Sequence, residues 1–220
     1  MSSRFPRSPP LLRCGLVLID PDTAAVQRVV ALQYNPDSLS RTLQVQGAGA
    51  ESGAAVDALR LKGPPIETFK LEAEIDATDQ LEQPVQNPQA VELGITPHLA
   101  ALEVLVYPSS TQVQAQLAQV SSGVMEILPT LAPLTLFVWS KARVLPVRLT
   151  EFSITEEAFD PNLNPLRAKV SLGMRVLTIS DLGFGTKAAG LFMLHHQQKE
   201  QLARQGLAGT LSALGLRGLP

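Results

Sequence analysis

Strict alternation of apolar and polar residues is the clearest pattern in this chain. Residues 61–79 read LKGPPIETFKLEAEIDATD, in which every second position from Phe69 to Ile75 is apolar. Period-two alternation is typical of an antiparallel strand with one face on the core and one in water. The pattern predicts such a strand within residues 61–79. Glu72 and Glu74 are then interpreted as part of its wet face, and not as a catalytic carboxylate pair.

The same period predicts further strands, separated by turn residues, at 11–20, 25–34, 41–46, 134–139, 147–154 and 168–176. After Leu149 the alternating apolar residues move from odd to even positions, which predicts a bulge near Thr150-Glu151. Residues 160–165 have the composition of a turn. The turn at Tyr34-Asn35-Pro36 is expected to fix the exit of one strand so that the next can reverse, because proline excludes helix at the residue before it.

Helical spacing replaces the alternation in three regions. A short turn at 89–93 and a helix at 97–107 are predicted, with Pro97 as the break between them. The polar insertion 108–132 is expected to be partly helical at 111–128. An amphipathic helix is predicted at 186–205, where Leu191, Leu194, Gln198 and Leu202 fall on neighbouring turns.

These elements predict a mainly β, α+β protein with antiparallel pairing. We expect a flexible arm at 1–10, a β domain at 11–182 that carries the loop 47–60 and the insertion 108–132, and a helical tail at 183–220. The loop 47–60 is rich in Gly, Ala and Ser, and residues 206–220 are expected to fray.

Composition narrows the function classes. The chain is 45% hydrophobic and 17% charged, which is typical of a folded protein and leaves room for large subunit contacts. The net charge is −2 without a basic run, so nucleic acid is not an expected partner. No apolar run approaches the roughly 20 residues of a membrane helix, and no signal peptide is visible. Direct membrane insertion is therefore not expected, and assembly in the cytoplasm is.

Candidate chemistry is sparse. Cys14 is the single cysteine and is expected to be a buried thiol in a strand. His98 is expected at the surface, and the adjacent His195 and His196 point too far apart to share one metal ion. No phosphate-binding loop or nucleophile elbow is found. The sequence predicts no catalytic, cofactor or metal residues, and hence no enzyme, although triads assembled in space leave an enzyme or ligand binder open.

Three blocks in order resemble one known family. They are the Asn35-Pro36 turn, Lys62-Gly63 with the alternating strand up to Asp79, and residues 133–139 with the strands up to Ala168. Together they are similar to the N-terminal domain of contractile injection system tube proteins, over about residues 12 to 180. The chain departs from the family pattern at two places. Ser140 stands where the family has a glycine. Leu163-Asn164-Pro165 stands where the family has Gly-x-Pro, and Asn164 is expected to tolerate left-handed backbone angles.

The resemblance implies a tail-tube-like antiparallel β-barrel or sandwich with a flanking helix and a C-terminal helix. It implies a hexameric ring in the baseplate, between the spike protein and the inner tube protein and beside other baseplate subunits, that initiates tube assembly. The alternatives are a repeating inner-tube subunit and, in a different class, a β-barrel ligand binder or enzyme. The LysM domain of many members is not expected here, because too few residues follow the last strand. Release of the particle and tethering to a membrane both stay open.

Overall fold

The structure, a computed structural model, describes residues 12–21, 23–47, 60–121, 133–183, 185–206, 209 and 211–215. Seven strands and six helices account for most of these residues. The strands are β1 (Gly15–Ile19), β2 (Val26–Ala31), β3 (Leu39–Gln44), β4 (Ile66–Asp76), β5 (Leu134–Ser140), β6 (Arg143–Phe159) and β7 (Pro165–Val176). The helices are α1 (Thr78–Leu81), α2 (Pro88–Leu93), α3 (Thr96–Glu103), α4 (Ser110–Ser121), α5 (Ile179–Leu182) and α6 (Lys187–Gln205), and a 3₁₀ turn follows at Leu211–Leu214.

Several predicted segments fall outside this description. The arm at 1–10, most of the loop 47–60 and the second half of the insertion 108–132 lie outside the described residues. The first half of that insertion is α4, as its partly helical pattern predicts. The short helices α1 and α5 have no counterpart in the prediction.

All seven strands belong to one antiparallel sheet in the order β2-β1-β5-β6-β7-β4-β3. β6 is long enough to pair with two strands: its first residues pair with β5, and Val147 to Phe159 pair with β7. The register between β6 and β7 shifts between Leu149 and Glu151, which confirms the predicted bulge. Glu151 lies across Gly173, where a Cβ would come within 2.8 Å of the Glu151 Cβ, so a glycine gives the bulge room.

The sheet folds back on itself, so that its two halves share one core. Leu16 and Val30 from the first half lie in the same buried cluster as Phe69 and Val170 from the second. The rings of Phe69 and Phe137 are 5.6 Å apart at its centre. The predicted mainly β, α+β class is confirmed. Among the described residues, strand pairing does not close the sheet into a barrel, because β2 and β3 stand at the two ends of its order.

A second, smaller cluster covers the other face of β1 and β5. Ile19, Leu134 and Leu136 pack there with Ala188 of α6. β5 is therefore buried on both faces, since Phe137 points into the main core. This second layer explains why the first four residues of β5 are all buried although successive side chains point to opposite faces.

The predicted amphipathic helix is present, and Leu191 of its apolar stripe packs against the second cluster. Leu194 and Leu202 are 53% and 61% exposed, whereas the buried residues of α6 are Ala188, Ala189, Phe192 and His195. Two alanines permit a close approach of the helix to the sheet, and a histidine takes a core position. Thr186 starts the helix by accepting a hydrogen bond from the Ala189 amide through its side chain.

The β6–β7 turn differs from its predicted geometry in one residue. Leu163, and not Asn164, adopts the left-handed conformation, with φ of 65°. Asn164 instead uses its side-chain amide, which donates to a carboxylate oxygen of Asp160 at 2.9 Å and to the Glu92 carbonyl at 3.0 Å. At the other departure from the family pattern, Ser140 has a negative φ and its hairpin forms without a glycine.

Candidate assembly surface

The two end strands of the sheet are its open edges. Within the described ranges, β2 pairs only with β1, and β3 pairs only with β4. An edge strand presents a row of backbone N–H and C=O groups that another strand can pair with. The sheet therefore offers two templates for strand addition, one at each end.

β2 is exposed on its side-chain faces as well, as is β3. Val26 and Val29 are 62% and 63% exposed, and Val30 is the one buried residue of the strand. The Leu32 amide donates to the Cys14 carbonyl, toward β1. Because backbone groups of an antiparallel strand alternate in direction, the amides of Val29 and Ala31 point the other way, toward the open edge.

Two side-chain amides replace backbone pairing where β2 ends. The Cys14 amide donates to Asn35 Oδ1 at 3.0 Å, and Asn35 Nδ2 donates to the Leu12 carbonyl at 2.8 Å. Gln33 does the same across the fold: its Nε2 donates to the Asp76 carbonyl at 2.7 Å, and its Oε1 accepts from the Asp76 amide at 3.0 Å. The Asn35-Pro36 turn thus shapes the subunit, as the sequence predicts, and Gln33 joins the two halves of the sheet.

A cavity of about 390 Å³ opens beside this junction, between β2 and α3. Its apolar lining includes Val30, Leu32, Ile75 and Leu102, all of them buried core residues. Its polar lining is formed by Arg13, Arg28, Gln33, Gln80 and His98, without a carboxylate. The open edge of β2 therefore faces a pocket with an apolar floor and a basic rim.

At the other open edge, a buried carboxylate fixes α6. Glu67 on β4 is 4% exposed, and its Oε2 accepts a hydrogen bond from Lys199 Nζ at 2.8 Å. Its other oxygen lies 3.7 Å from the Arg41 guanidinium of β3 and has no hydrogen-bond partner. A buried carboxylate is costly unless it is paired, so this contact ties the tail helix to the β3 edge.

His195 lies near the same carboxylate and is 8% exposed. Burial lowers its pKa, and the Lys199 ammonium lowers it further, while Glu67 raises it. Its Nδ1 has no hydrogen-bond partner. Sequence analysis missed this cluster, although the parity of β4 contained one signal: Glu67 is in phase with the inward-facing Phe69 and Leu71.

Two helices add exposed apolar stripes to the surface. On α4, Val113, Leu117 and Val120 recur at helical spacing, and no residue of that helix is buried. On α6, Leu194 and Leu202 form the second stripe. Exposed apolar side chains grouped on a helix are found at protein contacts.

Residues that the sequence singled out for chemistry are scattered. Cys14 is buried, as predicted, and burial raises the pKa of its thiol. His98 is exposed on α3, and Glu72 and Glu74 are exposed on the outer face of β4. Over the part of the chain that the structure describes, no group of three or more His, Cys, Asp or Glu side chains is placed to hold a metal ion. In that same part, every helix is too short or too polar to span a membrane.

Comparison with family models gives a match over most of the chain. A family model described as contractile injection system tube protein matches residues 18–179, which is most of the chain and includes all but the first part of the sheet. No curated protein matches. Among solved structures, one similar chain comes from a structure described as "Tail of empty GTA particle computed with helical refinement, C6 symmetry". It is 10% identical, with 74% of this chain and 90% of that chain covered, and the TM-score of 0.27 is too low to carry a structural argument.

Proposed function

This chain belongs to the family of contractile injection system tube proteins, and we propose that it forms the ring that joins the spike to the inner tube. Its membership makes it a tube protein of a phage-tail-like particle. The finer assignment, a hexameric baseplate ring that initiates tube assembly, is supported by two features of the subunit.

The two open edges carry the proposal. β2 and β3 stand at opposite ends of one sheet, so the β2 edge of one copy and the β3 edge of the next are different surfaces. A contact between different surfaces is heterologous, and it closes into a ring where the rotation between neighbours is a whole fraction of a turn. Strand addition at each contact would satisfy the amides of Val29 and Ala31 and bury the exposed Val26 and Val29.

The exposed helices favour a single adaptor ring over a repeating tube subunit. A subunit that stacks on identical copies needs only two complementary faces along the tube. Here α4 and α6 present apolar stripes in addition to the sheet edges. We assign these stripes to the unlike neighbours of an adaptor: the spike protein, the inner tube protein and other baseplate subunits.

The mechanism is mechanical. Contraction of the sheath drives the tube and the spike forward, and the ring between them transmits the thrust. The load would pass through the central strands β4, β6 and β7, whose buried faces share one core, and then through the strand pairs between subunits. No step of this mechanism requires a catalytic residue, a cofactor or a metal ion.

Copy number tests the assignment. Particles are purified, and this chain is quantified against the main tube protein by mass spectrometry with isotope-labelled peptides. One ring's worth, about six copies per particle, supports the adaptor. An abundance equal to that of the tube protein would make this chain a repeating tube subunit instead. Its absence from particles would overturn the assembly role and favour a monomer that binds a ligand in the cavity beside β2.

A further inference from the structure

The tip of the β6–β7 hairpin presents an apolar side chain in a strained conformation. We call residues 156–164 the hairpin tip. Leu163 is 78% exposed and Phe159 is 51% exposed. Leu163 has φ of 65° and Ala158 has φ of 52°, a region that residues with a Cβ rarely adopt. Burial within the subunit does not compensate this strain, since Leu163 packs little of its surface.

The strain is held by a rigid network and is not a sign of mobility. One carboxylate oxygen of Asp160 accepts from the amides of Asn162 and Asn164, both at 2.8 Å. The Leu163 amide donates to the Asp160 carbonyl at 3.0 Å. The bond from Asn164 to the Glu92 carbonyl fixes the tip to the end of α2. The hairpin tip is therefore a preformed knob, with Leu163 at its outer surface.

The cavity beside β2 is complementary to this knob in both polarity and charge. Its floor is apolar, and its rim carries Arg13, Arg28 and His98 without a carboxylate. The hairpin tip reads EEAFDPNLN, with three carboxylates and neither lysine nor arginine. Lys169 lies 3.9 Å from Glu157, so Glu156 and Asp160 are the charges available to a partner. Complementary charge of this kind steers and orients association.

The knob and the cavity lie at the same end of the fold. Gln33 lines the cavity and binds the backbone of Asp76, and Asp76 pairs with Arg167, two residues after the start of β7. The cavity is lined by β2 and α3. The base of the knob accepts a hydrogen bond from the Ile95 amide, just before α3, through the Pro165 carbonyl. In a closed ring, the two surfaces that form each contact lie at the same height along the ring axis. The knob and the cavity meet this condition when the ring axis runs along the strands.

From these observations we infer that the hairpin tip of one copy of this chain inserts Leu163 into the cavity between β2 and α3 of the next copy. The inference deepens the proposed ring and rests on it. The cavity of one copy is then the binding site for Leu163 of the next copy. The carboxylates of the tip then face Arg13 and Arg28 of the neighbouring copy.

A disulfide cross-link tests the contact directly. Full-length chains with Cys14→Ala carry both Leu163→Cys and His98→Cys, one on the tip and one on the cavity rim, and are expressed with the other particle components. Mild oxidation should link copies into a ladder that ends at the closed ring. The matched control carries Leu163→Cys with Val85→Cys, since Val85 is 93% exposed and does not line the cavity. It should give no ladder.

The outcomes separate the contact from the ring itself. If particles contain a ring of this chain but the Leu163→Cys/His98→Cys pair forms no ladder, the contact is wrong and the ring stands. A ladder in the control that equals the test pair would also overturn the contact. If the chain is recovered as a monomer and is absent from particles, both the contact and the ring are wrong.

Leu163→Gly provides an independent readout, because glycine adopts a positive φ without strain. The inference predicts that this variant unfolds at a slightly higher temperature than the parent, while its self-association weakens about tenfold or more through loss of the buried leucine. Analytical ultracentrifugation of the purified chain and quantification of the ring in particles measure the association. Unchanged association and unchanged incorporation would overturn the inference, whatever happens to the unfolding temperature.

Discussion

The central strands β4 and β7 and the end strands β2 and β3 belong to one sheet but are completed in different ways. β7 pairs on both sides, with β6 and β4, and most of its residues are buried. β2 pairs on one side, and five of its six residues are exposed. Both strands have β-branched and apolar residues, so composition does not distinguish them. The difference is whether the subunit itself supplies the second neighbour.

The centre and the ends of the sheet therefore have different roles. The centre provides a stable scaffold, because its apolar side chains and backbone groups are satisfied before any partner arrives. The ends keep backbone groups and valine side chains available for neighbouring copies. Substitutions at the centre should therefore alter the free energy of unfolding, and substitutions at the ends should alter assembly.

The largest expected effect on unfolding is at the centre of the core. Phe69 is fully buried on β4 and contacts the Phe137 ring. Phe69→Ala should lower the free energy of unfolding by about 3–5 kcal/mol, through lost burial and the cavity left behind. Val29→Ala on the β2 edge should change it by only about 0.5 kcal/mol. Urea titration of both variants measures the difference, and comparable losses would contradict the division between centre and edge.

A smaller effect is expected where α6 meets the β3 edge. Lys199→Met leaves the buried Glu67 without its 2.8 Å partner, and should cost about 2 kcal/mol, less than for a fully buried pair because the lysine is partly exposed. The matched control is Lys70→Met, whose 2.7 Å pair with Glu151 is exposed on both sides. That change should cost about 0.5 kcal/mol or less. Equal effects would show that burial of Glu67 does not matter to the docking of α6.

The junction between the two halves of the sheet should respond next. Gln33→Ala removes both hydrogen bonds to the Asp76 backbone, and should cost about 1–2 kcal/mol because the backbone groups lose their partners. Gln33→Glu keeps an acceptor for the Asp76 amide but sets a carboxylate oxygen against the Asp76 carbonyl oxygen, and should cost at least as much as the alanine variant. A clearly smaller loss in Gln33→Glu than in Gln33→Ala would contradict this account of the junction.

The smallest expected effect is a dependence on pH. Burial and Lys199 hold the pKa of His195 below its ordinary value of 6.5. The unfolded chain then binds a proton at a higher pH than the folded chain, so stability falls as pH drops through 6.5 toward the folded-state pKa and is fully present above 6.5. Arg41, Arg143, Lys199 and Glu67 are the charged groups that act on this histidine.

His195→Phe should remove that dependence between pH 7.5 and the folded-state pKa, when unfolding is followed by urea titration at several pH values. The control is His196→Phe, because His196 is about half exposed and pairs with Glu200 at the helix surface. If the control removes the same dependence, or the His195 variant retains it, the buried histidine is not its source.

The alternation of apolar and polar residues predicted β4 well, because one face of this strand lies on the core and the other lies in water. From Phe69 to Ile75, every inward position is apolar and every outward one is charged. The slip of parity after Leu149 located the bulge for the same reason. Strand order, however, depends on pairing between distant segments, as between β4 and β7, and no local pattern encodes which strand becomes an edge.

Prediction failed where tertiary contacts overrode side-chain hydrophobicity. Leu194 and Leu202 of α6 are exposed, whereas the helix buries two alanines, Phe192 and His195, and Lys199 pairs with the buried Glu67 of β4. Likewise Leu163 occupies a left-handed position where the adjacent Asn164 has the better intrinsic preference, since Asn164 is engaged with Asp160 and Glu92. Both cases depend on partners far away in sequence.

Hydrogen–deuterium exchange of the β2 amides tests the central claim most directly. Exchange is measured on the purified chain and on the chain in assembled particles, with resolution at Val29 and Ala31 on the open edge and at Val170 and Leu172 in β7. The account predicts that the two β7 amides are protected in both states, whereas the two β2 amides exchange quickly in the free chain and become protected on assembly. Fast exchange at Val29 and Ala31 in the assembled particle would contradict the assignment of this edge to a neighbouring copy.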